Sequence, residues 1–307
     1  MRHMKVLQVI RDVAETGSIR RSAERLAIAP SALTRRIQDF EHELGTTLFE
    51  RLPQGMRPNP AGELLLRHIR DQFADLDRLR SQIADLSGIR RGHVAIACSQ
   101  AFAHELVPDE IQTYRAQHPF VSFKVLVRDH AYAVDALTSF EADVAVVLQP
   151  PPAPELHLLQ TITQPLCALM GPHHPLAGRP TVRLRDCLQY PIAMPGPGLA
   201  IRHLVQGAIV RASMPVRIAV ESDSFEVLRS YAAREDVVSF QIRTGIPRGR
   251  LDLVASEVDR RDLPLAQVAL GQLRGRRLSV AASKFVEQIG RSLNSDGEAL
   301  SNASREG

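Results

Sequence analysis

The chain has 307 residues, 44% hydrophobic and 23% charged, with a formal net charge of +4. That length exceeds one small core, so two or three packed units are expected, and the composition is globular rather than disordered or fibrous. The mild positive charge is compatible with nucleic acid without requiring it, and lysine occurs only at Lys5, Lys124 and Lys284, so arginine richness alone is no sign of phosphate binding.

Cys98, Cys167 and Cys187 are far apart and lack any CxxC or Cys/His ligand spacing, which points to reduced thiols in a cytosolic protein. Arg2, Lys5, Arg11 and Asp12 break up the first turns, so no signal segment is expected there. No apolar run approaches the roughly 18 to 20 residues that span a bilayer. A cytoplasmic location without membrane contact is the expectation, and no metal or cofactor is called for.

Along the chain, Leu7, Ile10 and Val13 predict an amphipathic helix that stops before Gly17. Ser18 is a suitable N-cap for a second helix over Ile19 to Leu26. Pro30 suits the first position of a third helix, which continues through Leu33, Ile37, Phe40 and Leu44 to a C-terminal Gly45. From Pro60, capped by Asn59, one helix runs to about Leu86. Its Ile69, Phe73, Leu76, Leu79, Ile83 and Leu86 recur at threes and fours, a seam of coiled-coil type that predicts a homodimer. From Gly92 strands alternate with helices. Val94 to Cys98, Val121 to Val127 and Asp143 to Leu148 read as strands, with helices over Glu105 to Gln117 and Ala131 to Phe140 between them. Such βαβαβ order predicts a parallel sheet. After Pro150, Pro151, Pro152 and Pro154 a second α/β set follows, with strands at Leu166 to Met170 and Val216 to Val220 and helices at Ile201 to Ala212 and Ser224 to Ala233. Ala266 to Leu270 and a helix over Ser279 to Leu293 return to the first set. The polar residues beyond Leu293 predict a mobile tail.

Two short helices joined by a turn, the second carrying small polar and Arg side chains at its start, are what the DNA major groove admits. Residues 20 to 36 contain five Arg and one Glu, a local charge equal to that of the whole chain. Ala23, Leu26, Leu33, Ile37 and Phe40 are expected as the apolar brace. Ser31, Thr34 and Arg35 face outward, and Arg20, Arg21 and Arg36 are placed for phosphates.

The ordered set Gly17-Ser18, Ala23, Arg25-Leu26, Pro30-Ser31-Ala32-Leu33-Thr34-Arg35, Phe40-Glu41, Leu44-Gly45, Leu48-Phe49, Arg51, Gly55 and Pro60-Ala61-Gly62 resembles the winged helix-turn-helix of LysR-type transcriptional regulators. The resemblance implies an α+β multi-domain protein: a winged helix-turn-helix domain (1–59) and a linker and dimerisation helix (60–91). An effector-binding α/β module resembling periplasmic binding proteins follows over 92–293. Its subdomain I covers about 92–162 and 266–293, its subdomain II about 163–265, and the tail 294–307. It also implies a wing near Arg51 to Arg57, both arginines being candidates for DNA contact, and a dimer of dimers. Ala29 and Pro30 stand where the family often has a capping Ser and a Gln, which shifts expected base contact to Thr34 and Arg35.

In open α/β sheets, ligands bind beyond the carboxyl ends of strands, and a cleft between two such subdomains encloses them. The candidates are Ser99, Gln100, Asp129, His130, Leu148, Pro195, Gly196 and Phe240, for a small-molecule effector, an anion being one option. Ser99 at the end of its strand offers a hydroxyl and free backbone N–H groups to a carboxylate, or else only caps the helix that follows. His173-His174 has no further ligands nearby, Pro195-Gly196-Pro197-Gly198 lacks the Gly-Lys-Ser/Thr ending of a P-loop, and no GxSxG or HExxH occurs. A ligand-responsive regulator that is not an enzyme is the first reading. An enzyme or solute-binding protein on the α/β module, and a regulator without a ligand, are the alternatives.

Overall fold

The computed structural model describes residues 2–53, 55–86, 92–247, 249 and 252–303. The chain divides into two compact units, Met1–Arg80 and Ser81–Gly307.

In the first unit, α1 (Arg2–Thr16) buries Leu7, Ile10 and Val13 on one stripe. Ser18 caps α2 (Ile19–Leu26), its hydroxyl oxygen accepting from the Arg21 N–H, and Pro30 opens α3 (Pro30–Leu44). Gly45, at φ +71°, closes α3 by a left-handed turn whose N–H groups return to the carbonyls of Glu41 and His42. β1 (Phe49–Leu52) and β2 (Gly55–Pro58) form an antiparallel hairpin, the wing. A Cβ on Gly55 would collide with the Gly17 carbonyl oxygen, so the wing lies directly on the turn between α1 and α2. Asn59 caps α4 (Pro60–Leu86) by accepting from the Gly62 N–H at 2.8 Å, and its amide holds the Thr47 carbonyl at 2.8 Å.

The apolar seam of α4 divides. Leu66 and Ile69 are buried with Leu33, Ile37 and Leu48 in the core of the winged helix-turn-helix, and Phe73 packs against that core beneath the Arg11 guanidinium. Leu79 and Ile83, by contrast, are 51% and 56% exposed. The expected single seam is therefore corrected: its first half is intramolecular core, because periodicity marks an apolar face without naming what covers it. The side chain of Leu86 and residues 87–91 of the linker lie outside the described residues.

In the second unit, β3 (Gly92–Cys98), α5 (Leu106–Gln117), β4 (Val121–Val127), α6 (Ala131–Thr138), β5 (Val144–Leu148) and β6 (Leu156–Gln164) come first. β7 (Leu166–Met170), β8 (Thr181–Val182), α7 (Leu184–Cys187), β9 (Ile192–Pro195), α8 (Ala200–Ala212), β10 (Ile218–Ser222), α9 (Phe225–Ala232), β11 (Val238–Ile242) and β12 (Val254–Val258) build the second subdomain. β13 (Ala266–Leu273) and α10 (Val280–Ala303) return. The first sheet has the order β4-β3-β5-β13-β6 and the second β10-β9-β11-β7-β12-β8. The first is mixed rather than wholly parallel. β13 comes straight out of the second subdomain, so it enters between β5 and β6 antiparallel to both and needs no crossover helix. β6 thus runs in the direction of β5, and the carboxyl ends of β3, β4 and β5 point to the end where the chain crosses over. The expected tail is corrected over 294–303, which continues α10; residues 304–307 lie outside the described residues. No helix of the described residues is long and apolar enough to cross a membrane.

Candidate DNA interface and effector cleft

On α3, Leu33, Ile37 and Phe40 face the core while Ser31, Arg35 and Gln38 are exposed and Thr34 and Arg36 half-buried. The Thr34 hydroxyl donates to the Pro30 carbonyl at 2.9 Å, which commits its proton within the helix. Arg35 stands 3.9 Å from Asp39 with both side chains exposed, a weak pairing that leaves its donors available. Arg20 pairs with Glu24 at 3.3 Å, and Arg21 donates to the Thr16 carbonyl. Arg25 is bound by Glu15 at 2.7 Å and by buried Asp12 at 2.5 Å, so one of the five arginines of the basic window ties α2 to α1. Arg51 and Arg57 are exposed on the wing, Arg57 in register with Glu50. Thr34, Gln38, Glu41, Thr47, Arg51 and Met56 line a notch of about 230 Å³ between α3 and the wing.

In the second unit the turn after β3 is filled from within. The Ser99 hydroxyl, wholly buried, accepts from the Leu148 N–H at 3.0 Å and donates to Asp129. The Asp129 carboxylate also accepts from the Gln100 N–H at 3.2 Å. The donors expected to hold an anion thus hold a carboxylate of the chain itself. Burial raises the pKa of that carboxyl above its ordinary value, while the Ser99 and Gln100 hydrogen bonds pull it back.

Gln100 reaches across to the second subdomain. Its amide donates to the Asp223 carbonyl at 2.9 Å and accepts from the Phe225 N–H, the first of α9, at 2.6 Å. His130, at φ +50° and ψ −120°, faces His203 of α8 with ring centroids 6.1 Å apart. Its Nδ1 is 2.9 Å from the carbonyl oxygen of Gln149, which itself has φ +51°. Two non-glycine residues in strained backbone, beyond the ends of β4 and β5 on either side of β3, mark a site where tertiary structure overrides local preference.

Pro195 ends β9 and its carbonyl accepts from Arg202, which pairs with Glu221 at 2.6 Å. A Cβ on Gly196 would overlap a carboxylate oxygen of Asp223, so Gly196 leaves that side chain its place. Leu148 and Phe240 differ from the expectation of a cleft lining. Leu148 ends β5 and Phe240 lies in the middle of β11, but their side chains are 1% and 0% exposed in the core, and Leu148 contributes its backbone N–H instead. Gln38 at the notch, and Gln149, His203 and Asp223 beside the candidate cleft residues, are not among the residues named from sequence. Asp223 alone had a signal, its place between a strand and the Ser224 helix cap.

The three thiols are buried and free, and burial pushes those of Cys98, Cys167 and Cys187 up to about 12, 11 and 12, which suits structural packing and opposes redox sensing. His174 packs on Tyr190 at 4.4 Å and accepts from the Leu176 N–H.

Residues 4–63 match the family model described as bacterial regulatory helix-turn-helix protein, lysR family, and residues 87–294 match the LysR substrate binding domain. The chain is 29% identical over 309 residues to the SDS degradation transcriptional activation protein of Pseudomonas sp. (strain ATCC 19151), covering 98% of this chain and 94% of that one. A full-length OxyR variant from Pseudomonas aeruginosa has the same fold, with a TM-score of 0.70 at 19% identity over 94% of this chain and 93% of that one. So does full-length CbnR complexed with its target DNA, with a TM-score of 0.64 at 18% identity over 94% and 99%. The chain belongs to the LysR family of DNA-binding transcription regulators, and is not an enzyme.

Proposed function

We propose that α3 reads an operator in the major groove with Ser31, Thr34 and Arg35, while Arg20, Arg21, Arg36, Arg51 and Arg57 hold the flanking phosphates. The observation that supports this is the exposed face of α3 with the wing arginines beside it. The solved CbnR–DNA complex, of the same fold, supports duplex DNA as the partner. Footprinting of the purified full chain on duplex flanking its own gene tests the reading: a protected site with two related half-sites is expected, and no protection anywhere would overturn it.

A small molecule bound between the α/β subdomains, among Ser99, Gln100, Asp129, His130, Pro195 and Gly196, shifts the population between open and closed forms. This changes how copies assemble and hence the spacing of their reading helices. The Gln100 and His130–His203 contacts between the subdomains favour such closure. The copies join as a homodimer through α4, where Leu79 and Ile83 leave an apolar face uncovered one turn apart, and pair again as a tetramer. The protein acts in the cytoplasm. A second reading, a regulator whose cleft takes no ligand, is favoured by the Asp129 carboxylate standing where an anionic effector was expected.

A further inference from the structure

Gln38 is exposed on α3, three residues past Arg35 and seven past Ser31, so it shares their face at helical spacing. It also lines the notch between α3 and the wing, together with Thr34, Thr47 and Arg51. Its neighbours limit what else can read a base there. Ala29, Pro30 and Ala32 have no polar side-chain atom, and the Thr34 proton is committed to Pro30. Glu41 turns inward, its carboxylate accepting the Leu48 N–H at 2.7 Å. Ser31 offers a single hydroxyl and Arg35 offers donors only. An amide presents a donor and an acceptor side by side, the pattern that matches N7 and the N6 amino group of adenine. Guanidinium matches O6 and N7 of guanine.

We propose that Gln38 is a base-reading residue that selects an adenine at the base pair next to the one read by Arg35. Three residues of helix advance about 4.5 Å, and a base step advances roughly 3.4 Å along a strand, so the two long side chains address neighbouring base pairs. Thr34, four residues before Gln38 and lining the same notch, carries a methyl group of the kind that packs on the thymine methyl. Arg51 supplies the cation on the wing side of the notch, where the flanking phosphates run. The assignment rests on α3 lying in the major groove.

The test is selection from randomised duplex DNA by the full-length protein, by Gln38→Ala and by Arg35→Ala, followed by titration of each on the best site and its single-base substitutions. The intact protein is expected to prefer adenine beside a guanine by roughly 5- to 100-fold. Gln38→Ala should flatten the adenine position alone, and Arg35→Ala the guanine. Gln38 is exposed on a helix, where alanine is well tolerated, so the thermal midpoint should hold. Preferences that survive Gln38→Ala unchanged would overturn the assignment while leaving groove reading by α3 intact. A uniform loss on all sequences with a shallower salt dependence would also overturn it, since that marks a phosphate contact. An intact protein with no base preference at any position would sink both Gln38 and the major-groove reading.

Discussion

The Asp129 carboxylate accepts the backbone N–H of Gln100 at 3.2 Å, and the Gln100 side chain in turn bonds both Asp223 and Phe225 of the other subdomain. One strand-end carboxylate therefore orients the residue that joins the two halves of the sensor. Asp129→Ala would leave the Ser99 hydroxyl and the Gln100 N–H without their acceptor, at a cost of about 1–3 kcal/mol. Millimolar formate is expected to restore part of the lost thermal midpoint in Asp129→Ala and to leave the intact protein unmoved. Equal response of the two proteins would refute the anion seat.

Gln100→Ala removes both hydrogen bonds of the staple, each worth about 0.5–1.5 kcal/mol net. The Phe225 amide should then exchange its hydrogen faster, while amides of β3 and β5 keep their protection. Uniform change across the sensor would mean that Gln100 supports the fold and not closure.

Arg35→Ala should weaken binding on the selected operator about 5- to 100-fold more than on random duplex. Arg20→Ala or Arg57→Ala should instead reduce the slope of log affinity against log salt by about 0.9 for each phosphate no longer neutralised. Gel-shift titrations at three salt concentrations distinguish the two behaviours. An Arg35 variant that loses equally on both duplexes removes it from base reading.

Ile83→Glu and Leu79→Glu put charge on the exposed face of α4 without entering the reading-head core. Light scattering at micromolar concentration should report a smaller species than for the intact chain, with helix content kept. An unchanged mass would assign the assembly to another surface.

His174 is buried against Tyr190, and burial lowers its pKa, with Asp236 opposing the shift. The folded chain keeps it neutral, whereas the unfolded chain protonates it near pH 6.5. Its contribution to stability is therefore full above about pH 6.5 and is lost as the pH falls toward the folded value. His174→Phe should show a smaller drop in thermal midpoint between pH 7.5 and pH 5 than the intact protein. Parallel drops would show that other groups govern the acid arm.

The reading head was legible because its signals are local. Ser18, Pro30 and Gly45 set the ends of α2 and α3 by capping chemistry within a few residues, and both bounds agree with the sequence reading. β6 escaped because most of its nine residues are exposed and its partner β13 lies a hundred residues on. Strand ends in the sensor were found, but not which side chains turn outward there. Leu148 and Phe240 point into the core, whereas the left-handed backbone of His130 and Gln149 and the meeting of His130 with His203 exist only in the folded chain.

Leu66 and Ile69 also bear on how this protein can be cut. A fragment ending at residue 59 would lack the side chains that close the floor of the head and would expose Leu33, Ile37 and Leu48 to water. The head therefore needs the first turns of α4, and the same helix runs on unbroken to the exposed Leu79 and Ile83 proposed above for assembly. Leu66 and Ile69 pack on Leu33 and Ile37, so rotating the first turns of α4 would shift the reading helix with them.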